Sequence, residues 1–184
     1  MLCIGHLGEM IQDFAKDGRD FGLNIGYSFD GAPLLGTAGA IRKALPQLHN
    51  QFFVLYGDSY LDCDYAAVAD AFTASKKRGL MTIYRNEGSF DTSNVEAENG
   101  SILRYDKKKR TPQMHHIDYG LGVLQRSVFE ELPSNQICDL ADVYKSLLAA
   151  RQLAAYEIQK RFYEIGSPSG IADLEQYLEK SSRK

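Results

Sequence analysis

Gln51-Phe52-Phe53-Val54-Leu55-Tyr56-Gly57-Asp58 is the stretch on which the fold turns. Its apolar and aromatic run is too short for a helix and too continuous for a surface strand, so it predicts a buried strand. Gly57 ends the run and Asp58 follows at once. In an open α/β sheet, ligands gather beyond the carboxyl ends of the strands. Asp58 is therefore placed to offer oxygen to a hard cation such as Mg²⁺. An ordinary strand-to-loop turn explains Gly-Asp at this point equally well.

Working outward, the chain alternates strands and helices. Upstream, Leu2-Cys3-Ile4 predicts a short buried strand ending at Gly5, and Leu7, Met10, Ile11 and Phe14 fall at helical spacing. Residues 21–27 alternate like a strand. A loop with Asp30-Gly31-Ala32-Pro33 leads to a helix over 37–45 that stops at Pro46. Downstream, an Ala-rich helix over 65–77 precedes a strand over 80–84. This βαβα order implies a parallel sheet with helices on both faces. Residues 93–98 and 102–105 then flank Asn99-Gly100, the signature of a type I′ hairpin. A strand over 117–124 and a helix from an Asp139 cap to about Ala150 follow. Short strands over 154–158 and 161–164 come next, then a helix opened by Pro168 and running to about Leu178. The last residues, Ser181 to Lys184, read as a frayed tail. The expected class is α/β: a Rossmann-like, mostly parallel sheet flanked by helices, with the antiparallel pieces forming a small lid beside it.

Composition narrows the function classes. The 184 residues suit a single domain, 1–184, and are 44% hydrophobic and 24% charged with a net charge of −3. That balance suggests neither a nucleic-acid nor a membrane partner. The longest basic run, Lys107-Lys108-Lys109-Arg110, is too short to argue otherwise by itself. No apolar stretch approaches the ~20 residues of a membrane span. The start has neither the basic region nor the cleavage site of a signal peptide. Cys3, Cys63 and Cys138 are scattered and odd in number, which suits a reducing cytoplasm. His115 and His116 adjoin on a predicted strand and would face opposite ways, so a histidine-based zinc site is not expected.

Three further features bear on chemistry. Pro33-Leu34-Leu35-Gly36-Thr37-Ala38-Gly39-Ala40-Ile41 carries small residues from a loop into a helix start, where free N–H groups and a positive dipole end favour anionic ligands. Tight packing of that helix on the sheet is the plainer reading. Glu164, on a strand end before Gly166, is a candidate second metal ligand or part of a simple turn. Asp62-Cys63-Asp64 spells the D-x-D of metal-using glycosyltransferases, but both aspartates also suit caps of the helix starting near Tyr65.

In this order the features resemble the nucleotidyltransferases that make nucleotide sugars from a nucleoside triphosphate and a sugar-1-phosphate. Tyr27-Ser28-Phe29-Asp30 with Pro33 to Ile41 is similar to that family's Y-S-x-E…P-L-G-T-A-G-A-L nucleotide loop, with Asp30 at the glutamate position. Phe52 to Asp58 is similar to F-L-V-L-N-G-D, and Asp106-Lys107 stands where many members have Glu-Lys. The resemblance implies nucleotide contacts at Asp30, Leu35, Gly36, Thr37 and Ala38. It implies sugar-phosphate contacts at Gly57, Asn94, Asp106, Lys107, Asp118 and Gly120, with Lys107 on the phosphate. It makes Asp58 the catalytic metal ligand and Glu164, where the family has aspartate, the second ligand of Mg²⁺. The nucleotide side would span about 1–85 and the sugar-phosphate side about 86–184. The branch most resembled uses GTP with mannose- or heptose-1-phosphate, and small molecules are its partners. A homo-oligomer is possible.

Such enzymes begin with a strand, a G-G-x-G-T-R-L loop and a P-K pair that grip the triphosphate. Residues 1–7 here resemble the following strand and turn instead. The resemblance thus implies that the first strand and signature loop are missing from this sequence. It also implies weak or no activity for the chain alone and an open sheet edge beside Leu2 to Ile4. A non-catalytic nucleotide-sugar-binding module and a glycosyltransferase of the related GT-A fold are the alternatives.

Overall fold

The computed structural model describes residues 1–134 and 136–181. In chain order its elements are β1 (Leu2–Ile4), α1 (Gly8–Ala15), β2 (Tyr27–Phe29), α2 (Gly36–Ala44), β3 (Gln51–Leu55), β4 (Ser59–Leu61), α3 (Tyr65–Ser75) and β5 (Gly79–Arg85). There follow β6 (Val95–Glu98), β7 (Ser101–Tyr105), β8 (His116–Gln125), α4 (Arg126–Glu130), α5 (Leu140–Ala149), β9 (Leu153–Ile158), β10 (Phe162–Glu164) and α6 (Pro168–Ser181). Two compact units result. One comprises Met1–Phe52 with Gln125–Val143, the other Phe53–Leu124 with the chain from Tyr144 onward.

In the first unit β1 lies parallel to β2, with Leu2 opposite Tyr27 and Ile4 opposite Phe29. Helix α2 packs on both strands and on α4. Its small residues make this close approach possible: Ala38, Gly39, Ala40 and Ala44 are all buried, as is the larger Ile41. The Arg126 guanidinium donates to the carbonyls of Leu45 (2.6 Å) and Leu48 (2.9 Å) just past the end of α2. It thereby satisfies acceptors that a helix end leaves open. Two expectations change here. Of residues 21–27 only Tyr27 joins a strand, as the first residue of β2, and a 3-10 turn occupies Arg19–Phe21. The N–H groups of Leu23 and Ile25 donate locally to the carbonyls of Gly18 and Asp17. The alternating Phe21 and Leu23 stay exposed, so period-two spacing reflected no buried face. Leu7 at the start of α1 and Met10, Ile11 and Phe14 within it are also exposed. The helix instead buries its small residues, Gly8 and Ala15.

The second unit holds a mixed sheet in the order β7-β6-β8-β5-β9, with β3 also paired to β8. Strands β5 and β9 run parallel, while β8 is antiparallel to β5 and β6. Leu61, Val68, Phe72, Leu80, Tyr119 and Phe162 belong to its core. Asp64 caps α3 by accepting from the Ala67 N–H at 3.0 Å. The Asn99-Gly100 hairpin forms as expected. Both residues take positive φ (49° and 73°), as a type I′ turn demands. That hairpin, β6–β7, is continuous with the sheet through β8 and not a detached lid. Strand β3 is less buried than its sequence suggests. Phe53 and Leu55 remain 40% and 50% exposed, and β8 is the one partner of β3 among the described residues. Strand β4, which the sequence did not reveal, pairs antiparallel with β10. Helix α6 opens at Pro168 as expected and reaches Ser181; the rest of the predicted frayed tail lies outside the described residues.

Phe72, 3% exposed in this core, is expected to cost about 3–5 kcal/mol on replacement by alanine. Phe14→Ala, at a side chain 74% exposed, should change stability by no more than about 0.5 kcal/mol. Urea unfolding of the two variants checks both figures.

Candidate functional site

The β4–β10 pairing sets Glu164 opposite Ser59, and the Ile165 N–H donates to the Asp58 carbonyl at 2.7 Å. The two carboxylates expected to hold metal thus flank the same end of a two-stranded sheet. Both are exposed. Glu164 is oriented by its own loop: Oε1 accepts from the Gly166 N–H at 2.5 Å and Oε2 from the Ser167 hydroxyl at 3.0 Å. The Ser59 hydroxyl donates to Asp58 Oδ1 at 3.4 Å. No cluster of three or more His, Cys, Asp or Glu ligands occurs among the described residues. A pair of carboxylates nonetheless fits Mg²⁺, which binds through one or two carboxylates and completes its shell with water and substrate phosphates.

Four of the other second-unit candidates, Asn94, Asp106, Asp118 and Gly120, join in one hydrogen-bonded network. Asn94 Oδ1 accepts from the Asp118 N–H at 3.0 Å, and the Asn94 carbonyl accepts from the Asp106 N–H at 3.0 Å. Asp118 Oδ1 accepts from the Gly120 N–H at 3.1 Å and Oδ2 from the Tyr105 hydroxyl at 3.2 Å. The Gly120 carbonyl accepts from the Tyr56 N–H at 3.2 Å. The Lys107 ammonium stands 5.2 Å from the centre of the Tyr56 ring. Gly120 also neighbours Ser59, whose hydroxyl a side chain at Gly120 would meet at 3.6 Å. Gly57 is exposed.

Not every candidate side chain is free. Asp106 Oδ1 accepts from the Lys108 and Lys109 N–H groups at 2.8 and 2.9 Å, and these bonds hold its pKa below the usual value. That oxygen shapes the loop; only Oδ2 is left to meet a ligand. Burial pushes the Asp118 carboxyl upward despite its hydrogen bonds and the nearby Lys107. The Tyr105 phenol is pushed up as well, first by burial and then by the Asp118 charge.

The nucleotide candidates Asp30, Leu35, Gly36, Thr37 and Ala38 all lie in the first unit. Asp30 Oδ2 accepts from the Leu35 N–H at 3.2 Å, and the Lys43 ammonium donates to the Asp30 carbonyl at 2.9 Å. Asp30 Oδ1 is buried and has no partner among the described residues. The helix start is less open than expected. The Ala38 and Gly39 N–H groups donate to the Cys138 carbonyl at 2.9 and 3.3 Å. The Thr37 hydroxyl accepts from the Leu140 N–H at 2.8 Å. Gly36 takes φ 72°, and a Cβ there would lie 2.7 Å from the Cys138 carbonyl oxygen. Glycine is needed at that point for both reasons. The Cys138 loop was not legible as part of this segment, because it lies about a hundred residues away in sequence.

The D-x-D aspartates are occupied. Asp64 caps α3, whereas Asp62 is not a cap: it pairs with the Lys160 ammonium at 2.9 Å and accepts from the Tyr177 hydroxyl. Residues the sequence did not single out complete the site, namely Tyr56 beneath Lys107 and Tyr105 on Asp118.

Against known proteins, the family model described as nucleotidyl transferase matches residues 1–181. The chain is 47% identical over 174 residues to the N-acetylmuramate alpha-1-phosphate uridylyltransferase of Neisseria meningitidis, covering 88% of this chain and 70% of that protein. It is 24% identical over 191 residues to the mannose-1-phosphate guanylyltransferase catalytic subunit beta of Xenopus tropicalis, covering 100% and 53%. The chain spans about half the length of the curated relatives first matched, 53% of the Xenopus protein and 42% of another. Among solved structures, HddC from Yersinia pseudotuberculosis complexed with GMP-PN superposes with a TM-score of 0.73 at 19% identity, over 96% of this chain and 77% of that one. This likeness concerns the fold.

Burial raises Asp118 above the ordinary value near 3.8, so the folded chain holds this proton more tightly than the unfolded one. The resulting stability is complete below the ordinary aspartate range and is lost as pH rises through the folded value. Asp118→Asn removes that loss. The melting temperature of the variant relative to the parent should therefore be higher at pH 8 than at pH 4. An offset equal at both pH values would contradict the assignment.

Proposed function

The chain belongs to the nucleotidyl transferase family, and we propose that it transfers a nucleotidyl group from a nucleoside triphosphate to a sugar-1-phosphate, releasing pyrophosphate. The observation that carries this reading is the Asp58–Glu164 pair, held at one end of the β4–β10 sheet by the Ile165 bond. A bound Mg²⁺ would supply positive charge against the phosphates there. The chain's own residues do the rest. Asp58 and Glu164 hold the cation. Lys107 neutralises the sugar phosphate, and the network around Asp118, Asn94 and Gly120 fixes the floor on which the sugar lies. In the first unit the Gly36 and Thr37 N–H groups, not used by the Cys138 carbonyl, face the nucleotide, and Asp30, whose Oδ2 holds the Leu35 N–H, shapes the loop that carries them. Such a reaction runs mainly on positioning and charge neutralisation.

For base and sugar, the 47% identity to the Neisseria uridylyltransferase outweighs the 24% identity to the Xenopus guanylyltransferase. We therefore assign UTP and N-acetylmuramate 1-phosphate in preference to GTP with a manno-configured sugar phosphate. A cytoplasmic setting accords with these substrates and with three free thiols. Among the described residues no helix is long and apolar enough to cross a membrane. The glycosyltransferase reading is disfavoured because both D-x-D aspartates are engaged in holding α3 and α6.

Pyrophosphate release from UTP with N-acetylmuramate 1-phosphate should exceed that from GTP with mannose 1-phosphate. Asp58→Ala should lower it about 100-fold or more, and a chelator should abolish it. Calorimetry with the product nucleotide sugars tests the same point without turnover. Tighter binding of the GDP-sugar would reverse the base assignment. Binding indifferent to both Mg²⁺ and Asp58 would favour a non-catalytic module.

A further inference from the structure

The basic run Lys107-Lys108-Lys109-Arg110 follows directly on Asp106. It is a shaped turn, since Asp106 Oδ1 fastens the Lys108 and Lys109 N–H groups. Its two ends are anchored at different places. Lys107 stands over the Tyr56 ring, while the Arg110 Nε–H donates to the Ser93 carbonyl at 3.4 Å. The Ser93 anchor is firm. Ser93 is buried, and its hydroxyl accepts from the Asn86 amide at 3.1 Å and the Gly88 N–H at 3.2 Å. The next residue, Asn94, belongs to the sugar network. Arg110 thus holds its guanidinium beside that network through Nε. Its terminal nitrogens stay available, and no carboxylate pairs with it among the described residues.

One anionic group on a substrate needs one such cation; two separated cations suit a substrate with two anions. N-acetylmuramate 1-phosphate is of that kind, with a phosphate at C1 and a lactyl carboxylate on the C3 oxygen. N-acetylglucosamine 1-phosphate is the same sugar without the lactyl group. We propose, resting on the substrate reading above, that Arg110 is a specificity-determining residue that binds the lactyl carboxylate while Lys107 binds the phosphate. A planar guanidinium with its outer nitrogens open is suited to grip a carboxylate through two parallel bonds. Lys108 and Lys109 offer point charges only.

Calorimetric titration of the chain with each of the two sugar phosphates, for parent and Arg110→Gln, is the test. The parent should bind N-acetylmuramate 1-phosphate at least tenfold more tightly than N-acetylglucosamine 1-phosphate, and the variant should lose most of that ratio. A melting curve matching the parent's establishes that the variant is folded, and Arg110→Lys should restore part of the ratio. If the parent discriminates and Arg110→Gln keeps the full ratio, the role of Arg110 is overturned while the substrate assignment stands. If the parent does not discriminate, the substrate assignment fails and this inference fails with it.

Discussion

The bond from the Ile165 N–H to the Asp58 carbonyl extends the β4–β10 pairing and sets two carboxylate residues at the same end of these strands. Like charges repel, and nothing in either carboxylate favours this arrangement by itself. It is imposed by the backbone and by side chains behind it. Phe162 enters the core, Tyr60, Tyr163 and Tyr177 pack together, and Tyr177 and Lys160 both hold Asp62. The Arg161 guanidinium, between the Phe90 and Tyr163 rings at 3.8 and 4.3 Å, adds to the same assembly. Helix α6 and strand β10 are in this sense the support of the Asp58–Glu164 pair.

A second constraint runs through the polar groups. In both units many residues that a motif would assign to ligands are first used to hold the chain. Thr37 holds the start of α5, Asp106 closes its own turn, Asn94 fixes Asp118, and Asp30 braces Leu35. What remains open is smaller and more specific: one oxygen of Asp106, the Lys107 ammonium and the outer nitrogens of Arg110. Preorganisation of this kind makes charge neutralisation effective, since the groups need not rearrange when substrate arrives.

Much of this was legible in the sequence where the signal is local. Asn99-Gly100 specified its hairpin, Asp64 its helix cap, Pro168 the start of α6, and the Gln51 to Leu55 run its strand. The illegible parts depend on distant partners or on brevity. Ser59–Leu61 is only three residues long and shows no periodicity of its own, yet it positions Glu164. The alternation over residues 21–27 looked like a strand, but local bonds to Asp17 and Gly18 prevailed. Nothing near Ala38 announced that the Cys138 carbonyl would take up its N–H. The candidate site residues themselves came from resemblance more than from any spacing rule; their mutual hydrogen bonds are visible only in the folded chain.

The central claim is that Asp58 and Glu164 together hold the divalent cation that meets the substrate phosphates. Crystals grown with Mn²⁺ and the uridine-diphosphate sugar, measured for anomalous scattering at the manganese edge, test it most directly. The account predicts a peak in contact with carboxylate oxygens of both residues, lost in Asp58→Ala. A peak bound elsewhere, or one that survives the Asp58 substitution unchanged, would contradict it.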